Sequence, residues 1–117
     1  MKIEGFDIQE QEVSFGKLHM VIEENGFVHS EQWDYERVTF DYRFLDKAED
    51  ATYYLRIPAY SVSGEIGKED TRVKLMTPYL GRHYYPHGVE YDEEFPEKIV
   101  NKCKQKLAAI EKELKED

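Results

Sequence analysis

The sequence contains a single cysteine, Cys103, among its 117 residues. One cysteine cannot form a disulfide within the chain, and it also excludes a multi-cysteine zinc site. The chain does not open with a secretory signal sequence, and no apolar stretch approaches the roughly 20 residues that a membrane-spanning helix needs. These absences predict a cytoplasmic protein that keeps its thiol reduced and does not bind membranes.

Basic residues are in the minority, since 16 lysines and arginines face 25 acidic residues and the formal net charge is −9. The imbalance is greatest in residues 1–36, which hold nine acids and two bases. A field of this sign repels phosphate at long range. We therefore expect neither a nucleic acid nor an anionic membrane among the partners of the protein.

The motifs of several enzyme classes are missing. No Gly-x-Ser-x-Gly elbow is present, and Gly64-Glu65-Ile66-Gly67 lacks the Lys-Ser/Thr pair of a phosphate-binding loop. Cys103 falls on the apolar stripe of a predicted helix, where a cysteine acts as a small core residue more often than as a nucleophile. The sequence indicates no cofactor and favours a protein that is not an enzyme.

Hydrophobic periodicity predicts two helices and a run of strands within one domain that spans residues 1–117. Residues 14–25 have an apolar face behind a serine cap, and a longer helix with an apolar stripe begins near Pro96. Three segments alternate between apolar and polar side chains, as half-buried strands do: residues 36–45, 52–57 and 71–77. Pro58 suggests a bulge or an edge position. The predicted fold is α+β, an antiparallel sheet whose apolar face is covered by an N-terminal helix and a long C-terminal helix.

The period of two also determines what the other face of the sheet carries. Five of its side chains are basic, at Arg37, Arg43, Arg56, Arg72 and Lys74. Tyr54, Thr39 and Met76 lie between them, and Asp41 is the only acid predicted on this face. Because arginine suits carboxylate and phosphate, we expect this face to bind an anionic small molecule or an acidic protein partner. The acidic first third of a second copy would make the protein a homodimer, and the alternative is an ordinary solvated sheet face.

Residues 79–91 concentrate tyrosines, histidines, an arginine and a glutamate around a turn at Pro86-His87-Gly88. If the two flanks pair as a hairpin, Tyr84 meets Val89 and His83 meets Glu90. The second pair would bring an imidazole and a carboxylate to one face, either as an acid–base couple or as a structural ion pair.

This segment leaves two further functions open beside the binding of an anion or a partner. A small enzyme would use His83 as general base with Glu90 and Tyr85, in a pocket near Trp33. A metal site would use His83 and His87 with help from elsewhere in the chain. In a binding protein, the aromatic and histidine side chains beside the bases would contribute: Tyr54, Trp33, Tyr84 and His87.

Three strings in the chain, QWDYERVTFD at residues 32–41, YYLR at 53–56 and LGRHYYPHGVEY at 80–91, resemble the YugN-like family of small proteins from bacilli. The resemblance spans nearly the whole chain. It implies a soluble cytoplasmic protein of a spore-forming type of bacterium. It implies no activity, because the family has no assigned catalytic residues to carry over.

Overall fold

The computed structural model describes residues 1–6, 8, 11–29, 34–84, 86 and 88–116. Its helices are α1 (Phe15–Glu24) and α2 (Glu97–Lys115). Its strands, in chain order, are β1 (Glu12–Ser14), β2 (Val28–His29), β3 (Arg37–Asp46), β4 (Ala51–Ser63), β5 (Arg72–Leu75), β6 (Tyr79–His83) and β7 (Val89–Glu90). These strands pair in antiparallel fashion, as the sequence predicted.

α1 forms where the sequence predicted a helix. The Ser14 hydroxyl accepts a hydrogen bond of 3.3 Å from the Lys17 N–H, which satisfies one free donor of the first turn. After the last turn, Gly26 redirects the chain with a φ of 85°, a value that favours glycine. The apolar face of the helix is buried in the core at Phe15, Leu18, Val21 and Ile22.

β4 is the central strand of the sheet. One of its edges pairs with β3 along ten residue pairs, from Arg37 opposite Tyr60 to Asp46 opposite Ala51. Its other edge is divided, because β6 pairs with the first half of β4 and β5 pairs with the second half. The sheet extends to β2 beyond β3, to β1 beyond β5 and to β7 beyond β6.

Pro58 lies inside β4, so the predicted bulge or edge position is wrong. It pairs with Thr39 of β3, and its carbonyl oxygen accepts a hydrogen bond of 2.8 Å from the Met76 N–H. Since the N–H and C=O groups of a residue in an antiparallel strand point to the same edge, the missing N–H of Pro58 faces the boundary between β6 and β5. Neither strand pairs with Pro58, and a proline is tolerated there for that reason. The register shift of β4 lies further along, between Ser61 and Ser63.

α2 follows Pro96, and the apolar stripe predicted for it is buried at Ile99, Cys103, Leu107, Ile110 and Leu114. Two lysines connect the helix to β3. Lys98 pairs with Asp46 at 3.0 Å, and the Lys106 ammonium lies 4.3 Å from the centroid of the Tyr42 ring. Within the described ranges, the structure contains no helix long and apolar enough to cross a membrane. The predicted α+β fold with an N-terminal and a C-terminal helix is confirmed.

Candidate ligand-binding face

The face of the sheet opposite the helices, which we call the open face, carries the polar half of each alternating strand. Inward side chains such as Phe40, Leu55 and Val73 are fully buried, so their sequence neighbours point the other way. The predicted bases all lie on the open face, at Arg37, Arg43, Arg56, Arg72 and Lys74. Alternation alone was sufficient to assign these side chains to a face.

The bases form two separate groups instead of one patch. At one end of the open face, Arg37 and Lys74 lie opposite the same residue of β4. Arg72 joins them and lies 3.8 Å from Glu12, which faces Lys74 from β1. The prediction that Asp41 is the only acid on this face is therefore wrong. Glu12 was missed because the local pattern does not reveal that β1 pairs with β5.

At the other end of the open face, Arg56 has two partners. Its Nε lies 3.3 Å from Asp41 Oδ1 on β3, and its Nη1 donates a hydrogen bond of 2.7 Å to the Tyr91 hydroxyl. Asp41 Oδ1 has no hydrogen bond within the described residues, so its contact with Arg56 is an ion pair without hydrogen-bonding geometry. Burial raises the pKa of the Asp41 carboxyl, and the charge of Arg56 opposes that rise.

Tyr91 reaches Arg56 by crossing β6 at Gly81. A Cβ atom at Gly81 would stand 2.6 and 2.7 Å from two ring atoms of Tyr91, and it would also collide with Val89. The Tyr91 ring meets the Tyr79 ring edge to face, with centroids 5.2 Å apart. Burial raises the pKa of the Tyr79 hydroxyl, and Tyr91 raises it further. The missing side chain at Gly81 therefore lets the chain after β7 lie directly on the open face.

Between β2 and β7 the open face forms a broad depression of about 1060 Å³, which we call the basin. The residues that line it include Val28, Asp41, Arg43, Tyr54, Arg56, His83 and Val89. On its floor, the Arg56 guanidinium carbon lies 5.3 Å from the centroid of the Tyr54 ring. The His83 ring meets Tyr54 edge to face at 6.3 Å. Among the described residues, the lining of the basin carries Arg43, Arg56, His29, His83 and one carboxylate beside the Tyr54 ring, a set that suits an anion better than a cation.

The hairpin that joins β6 to β7 differs by one residue from the predicted register. His83 lies opposite Val89, and Glu90 lies opposite Arg82. Because a slip of one residue moves a side chain to the other face of the sheet, His83 is on the open face and Glu90 is on the opposite face. The predicted pairing of His83 with Glu90 is wrong, and with it the acid–base couple of the enzyme hypothesis loses its geometry.

Tyr84 belongs to a cluster outside the basin. Its N–H donates a hydrogen bond of 3.2 Å to the Gly88 carbonyl, so the predicted pairing with Val89 is also wrong. Its hydroxyl lies 2.7 Å from Glu93 Oε1, and this hydrogen bond raises the pKa of Tyr84. The Arg82 guanidinium carbon lies 4.7 Å from the centroid of the same ring. These contacts join the hairpin to the segment before α2 and give Tyr84 a structural role.

Three predicted site residues, Trp33, Tyr85 and His87, lie outside the described residues. The metal site at His83 and His87 therefore stays a prediction. In the part of the chain that the structure describes, no group of three or more histidine, cysteine or acidic side chains is arranged to hold a metal ion.

A second pair of histidines packs between α1 and the sheet. His19 of α1 and His29 of β2 meet edge to face with ring centroids 4.9 Å apart, and His29 lies 5.0 Å from Phe40 in the same way. Burial lowers the pKa of His29 and His19 lowers it further, while Glu23, which lies 3.1 Å from His19 Nε2, opposes the shift. Both histidines are part of the local packing between α1 and the sheet.

Local periodicity does not connect Tyr79 and Tyr91 with the arginine-bearing face. A signal was present in β6, because a glycine inside a strand often marks the close approach of another segment. Tyrosines lie near Gly81 on both sides in the sequence, so a tyrosine ring is a candidate for the group that approaches this glycine.

Comparison with known proteins supports the assignment of a family. Residues 5–114 match the YugN-like family. The chain is 44% identical over 100 residues to the protein YlbA of Bacillus subtilis, across 84% of this chain and 82% of YlbA. It is 30% identical over 74 residues to YugN of the same bacterium, across 63% of this chain and 54% of YugN. A crystal structure of YugN from Geobacillus kaustophilus resembles this fold with a TM-score of 0.85 and 40% identity, across 97% of this chain and 94% of that one. The chain therefore belongs to the YugN-like family.

Proposed function

We propose that the protein is a non-catalytic binding domain that takes up a small anionic molecule in the basin of its open face. The observation that carries this proposal is a local reversal of charge: among the described residues that line the basin, Arg43 and Arg56 lie beside one acid, Asp41, in a chain of net charge −9. We also propose that it acts in the cytoplasm, which the unpaired thiol of Cys103 supports.

The shape of the basin supports a small ligand. Its volume of about 1060 Å³ lies at the upper end of the roughly 300–1,000 Å³ typical of small-molecule pockets. Val28 and Val89 supply apolar walls, and Tyr54 supplies an aromatic floor. Small-molecule sites combine apolar and aromatic surface with polar groups that orient the ligand, and in the basin charged side chains supply those groups.

A thermal-shift screen of carboxylates, phosphates and sugar phosphates tests the proposal. A ligand at a hundredfold its dissociation constant stabilises the folded state by about 2.7 kcal/mol, which is a clear shift for a domain of this size. We expect Arg43→Gln to reduce the shift. Arg37→Gln is the matched control, because Arg37 lies exposed on the same strand and the same face but outside the basin. An equal loss in both variants, or no stabilising anion in the screen, would contradict the proposal.

Self-association is a second candidate, and the distant group of bases favours it. Arg37, Arg72 and Lys74 lie on the open face with Met76 just after β5, and 39% of the Met76 surface remains exposed. An acidic surface of a second copy would complement this group. Charge reversal of Arg37 and Lys74 to glutamate should lower the dimer fraction in analytical ultracentrifugation, whereas Arg43→Glu should not. A wild-type protein that sediments as a monomer at high concentration would exclude this candidate.

A further inference from the structure

We infer that the basin selects a planar ring that carries an oxyanion, either a phosphate or a carboxylate. The oxyanion binds between Arg43 and His83, and the ring lies against Tyr54. This inference rests on the proposed function and specifies the chemical class of its ligand.

Arg56 is not the group that receives the oxyanion, because its charge is already engaged. Its Nε faces Asp41 Oδ1 at 3.3 Å, and its Nη1 donates to the Tyr91 hydroxyl at 2.7 Å. An anion placed at Arg56 would lie beside the Asp41 carboxylate and would compete with Tyr91. Arg56 instead packs over the Tyr54 ring on the floor of the basin.

Arg43 and His83 are the two basic side chains of the basin that have no charged partner among the described residues and can therefore receive an anion. Within the described residues, neither side chain takes part in an ion pair, and the recorded partner of His83 is the edge contact with the Tyr54 ring at 6.3 Å. Arg43 is exposed and His83 is half-buried. A guanidinium offers several donors to one oxyanion, and an imidazole N–H offers one more.

The sheet register brings these two side chains to opposite sides of Tyr54. Arg43 lies directly opposite Tyr54 on β3, whereas His83 lies on β6 opposite Thr52 of β4. Two strand spacings separate β3 from β6 across β4, a distance of about 10 Å. An arginine and a histidine that start this far apart both reach a group of phosphate size above Tyr54 and Thr52.

Tyr54 explains why the ligand should carry a ring. The guanidinium of Arg56 lies 5.3 Å from the ring centroid, and the His83 ring is perpendicular to the Tyr54 ring at 6.3 Å. Val28, which is 64% exposed, and Val89 border the same basin. The flat Tyr54 ring, with Val28 and Val89 at the border of the basin, accommodates a second flat ring by offset stacking.

Isothermal titration calorimetry with four probes tests the inference: phenyl phosphate, inorganic phosphate, benzoate and acetate. We expect the ring-bearing member of at least one pair to bind about fivefold more tightly than its ring-free counterpart. Which pair shows the difference distinguishes phosphate from carboxylate. Arg43→Gln and His83→Gln should each weaken the ring-bearing probe about tenfold, and Arg37→Gln should leave it unchanged.

Tyr54→Leu separates the ring contact from the oxyanion contact. It should reduce the difference between ring-bearing and ring-free probes to less than about twofold, while Tyr54→Phe should preserve it. Circular dichroism of both variants establishes that they fold, and a loss of the difference in folded Tyr54→Phe would contradict the ring contact, because that variant keeps the ring.

Three results overturn the inference, and they differ in what they mean for the proposed function. If ring-free and ring-bearing probes bind equally, or if Tyr54→Leu keeps the difference, the ring contact is wrong but an anion site at Arg43 survives. If other anions of the thermal-shift screen bind through Arg43 while all four probes fail, the ligand class is wrong and the proposed function holds. If no anion binds in either experiment, both are wrong.

Discussion

Replacing Gly81 with alanine should displace Tyr91 from the open face. The new Cβ would stand 2.6 and 2.7 Å from two atoms of the Tyr91 ring, closer than such atoms approach in folded proteins. The backbone of Gly81 does not have a positive φ, so alanine fits the strand itself. The ring of Tyr91 and the side chain of Val89, which also meets the new atom, must therefore move away from β6.

The size of the effect follows from the contacts that Tyr91 loses. The edge-to-face contact with Tyr79, at 5.2 Å, is worth about 0.5–1.5 kcal/mol. The hydrogen bond from Arg56, at 2.7 Å, adds about 1 kcal/mol of net stability for a half-exposed pair. Alanine offsets roughly 0.5–1 kcal/mol, because it has less backbone freedom than glycine in the unfolded chain. The free energy of unfolding should fall by about 0.5–2 kcal/mol.

Urea unfolding followed by far-UV circular dichroism measures this change as a decrease of about 0.5–1 M in the midpoint. The control repeats Gly81→Ala in a chain that already carries Val89→Ala and Tyr91→Ala. With both colliding side chains removed, only the loss of backbone freedom in the unfolded chain remains, and the substitution should raise the free energy of unfolding by roughly 0.5–1 kcal/mol. If Gly81→Ala costs as much in that background as in the wild type, the collision with Tyr91 and Val89 is not its cause.

Three further predictions concern the core and the histidine pair. Burial raises the pKa of the Cys103 thiol to about 12, so the native protein should not react with Ellman's reagent at pH 8, and the urea-unfolded protein should react fully; fast native reaction would contradict this. Leu107→Ala should lower the free energy of unfolding by about 2–5 kcal/mol, whereas Lys104→Ala on the exposed side of α2 should stay within about 0.5 kcal/mol; equal losses would show that α2 is not packed by its apolar stripe. The pKa of His29 is lowered in the folded state, so as the pH falls the His29 side chain takes up a proton in the unfolded chain before it does so in the folded protein. The stabilising contribution of neutral His29 is therefore complete above about pH 6.5 and is lost as the pH falls towards the folded pKa. His29→Gln should therefore lose less stability than the wild type between pH 7.5 and 5.5 in urea unfolding, and equal losses would contradict the assignment.

The sequence predicted those features that depend on a short period. Alternation of side chains placed Phe40 inside the fold and Arg43 on the open face, because successive residues of a strand must point to opposite faces. Spacing of three and four residues identified the buried stripe of α2, from Ile99 to Leu114. Each of these inferences uses residues that are close in the chain, and none requires knowledge of which strands are neighbours.

The register of the hairpin could not be predicted in this way. The sequence suggested a turn with Tyr84 opposite Val89, but the Tyr84 N–H bonds to the Gly88 carbonyl and His83 takes the place opposite Val89. Both arrangements satisfy the proline and glycine of the turn, and they differ by one residue. That single residue decides whether Glu90 shares a face with His83, so the enzyme hypothesis depended on the least predictable part of the chain.

The order of the strands was the other missing piece, and it determines which side chains meet on the open face. Tyr91 reaches Arg56, 35 residues earlier in the chain, only because β6 pairs with the first half of β4. Glu12 reaches Arg72 because β1 pairs with β5. Neither contact can be predicted from local periodicity, although both change how much positive charge the open face presents.

The acidity of the whole chain and the basic character of the basin act over different distances. At physiological ionic strength, charges more than about 8 Å apart in solvent are largely screened, so most of the acidic surface contributes little at the position of Arg43. A small anion in the basin meets Arg43 and His83 directly, whereas a long polyanion would extend onto surroundings that bring the net charge to −9. Because repulsion grows with every phosphate placed outside the basin, we expect the site to bind compact anions and to reject nucleic acid. The same charge distribution therefore accounts for the size of the proposed ligand as well as for its sign.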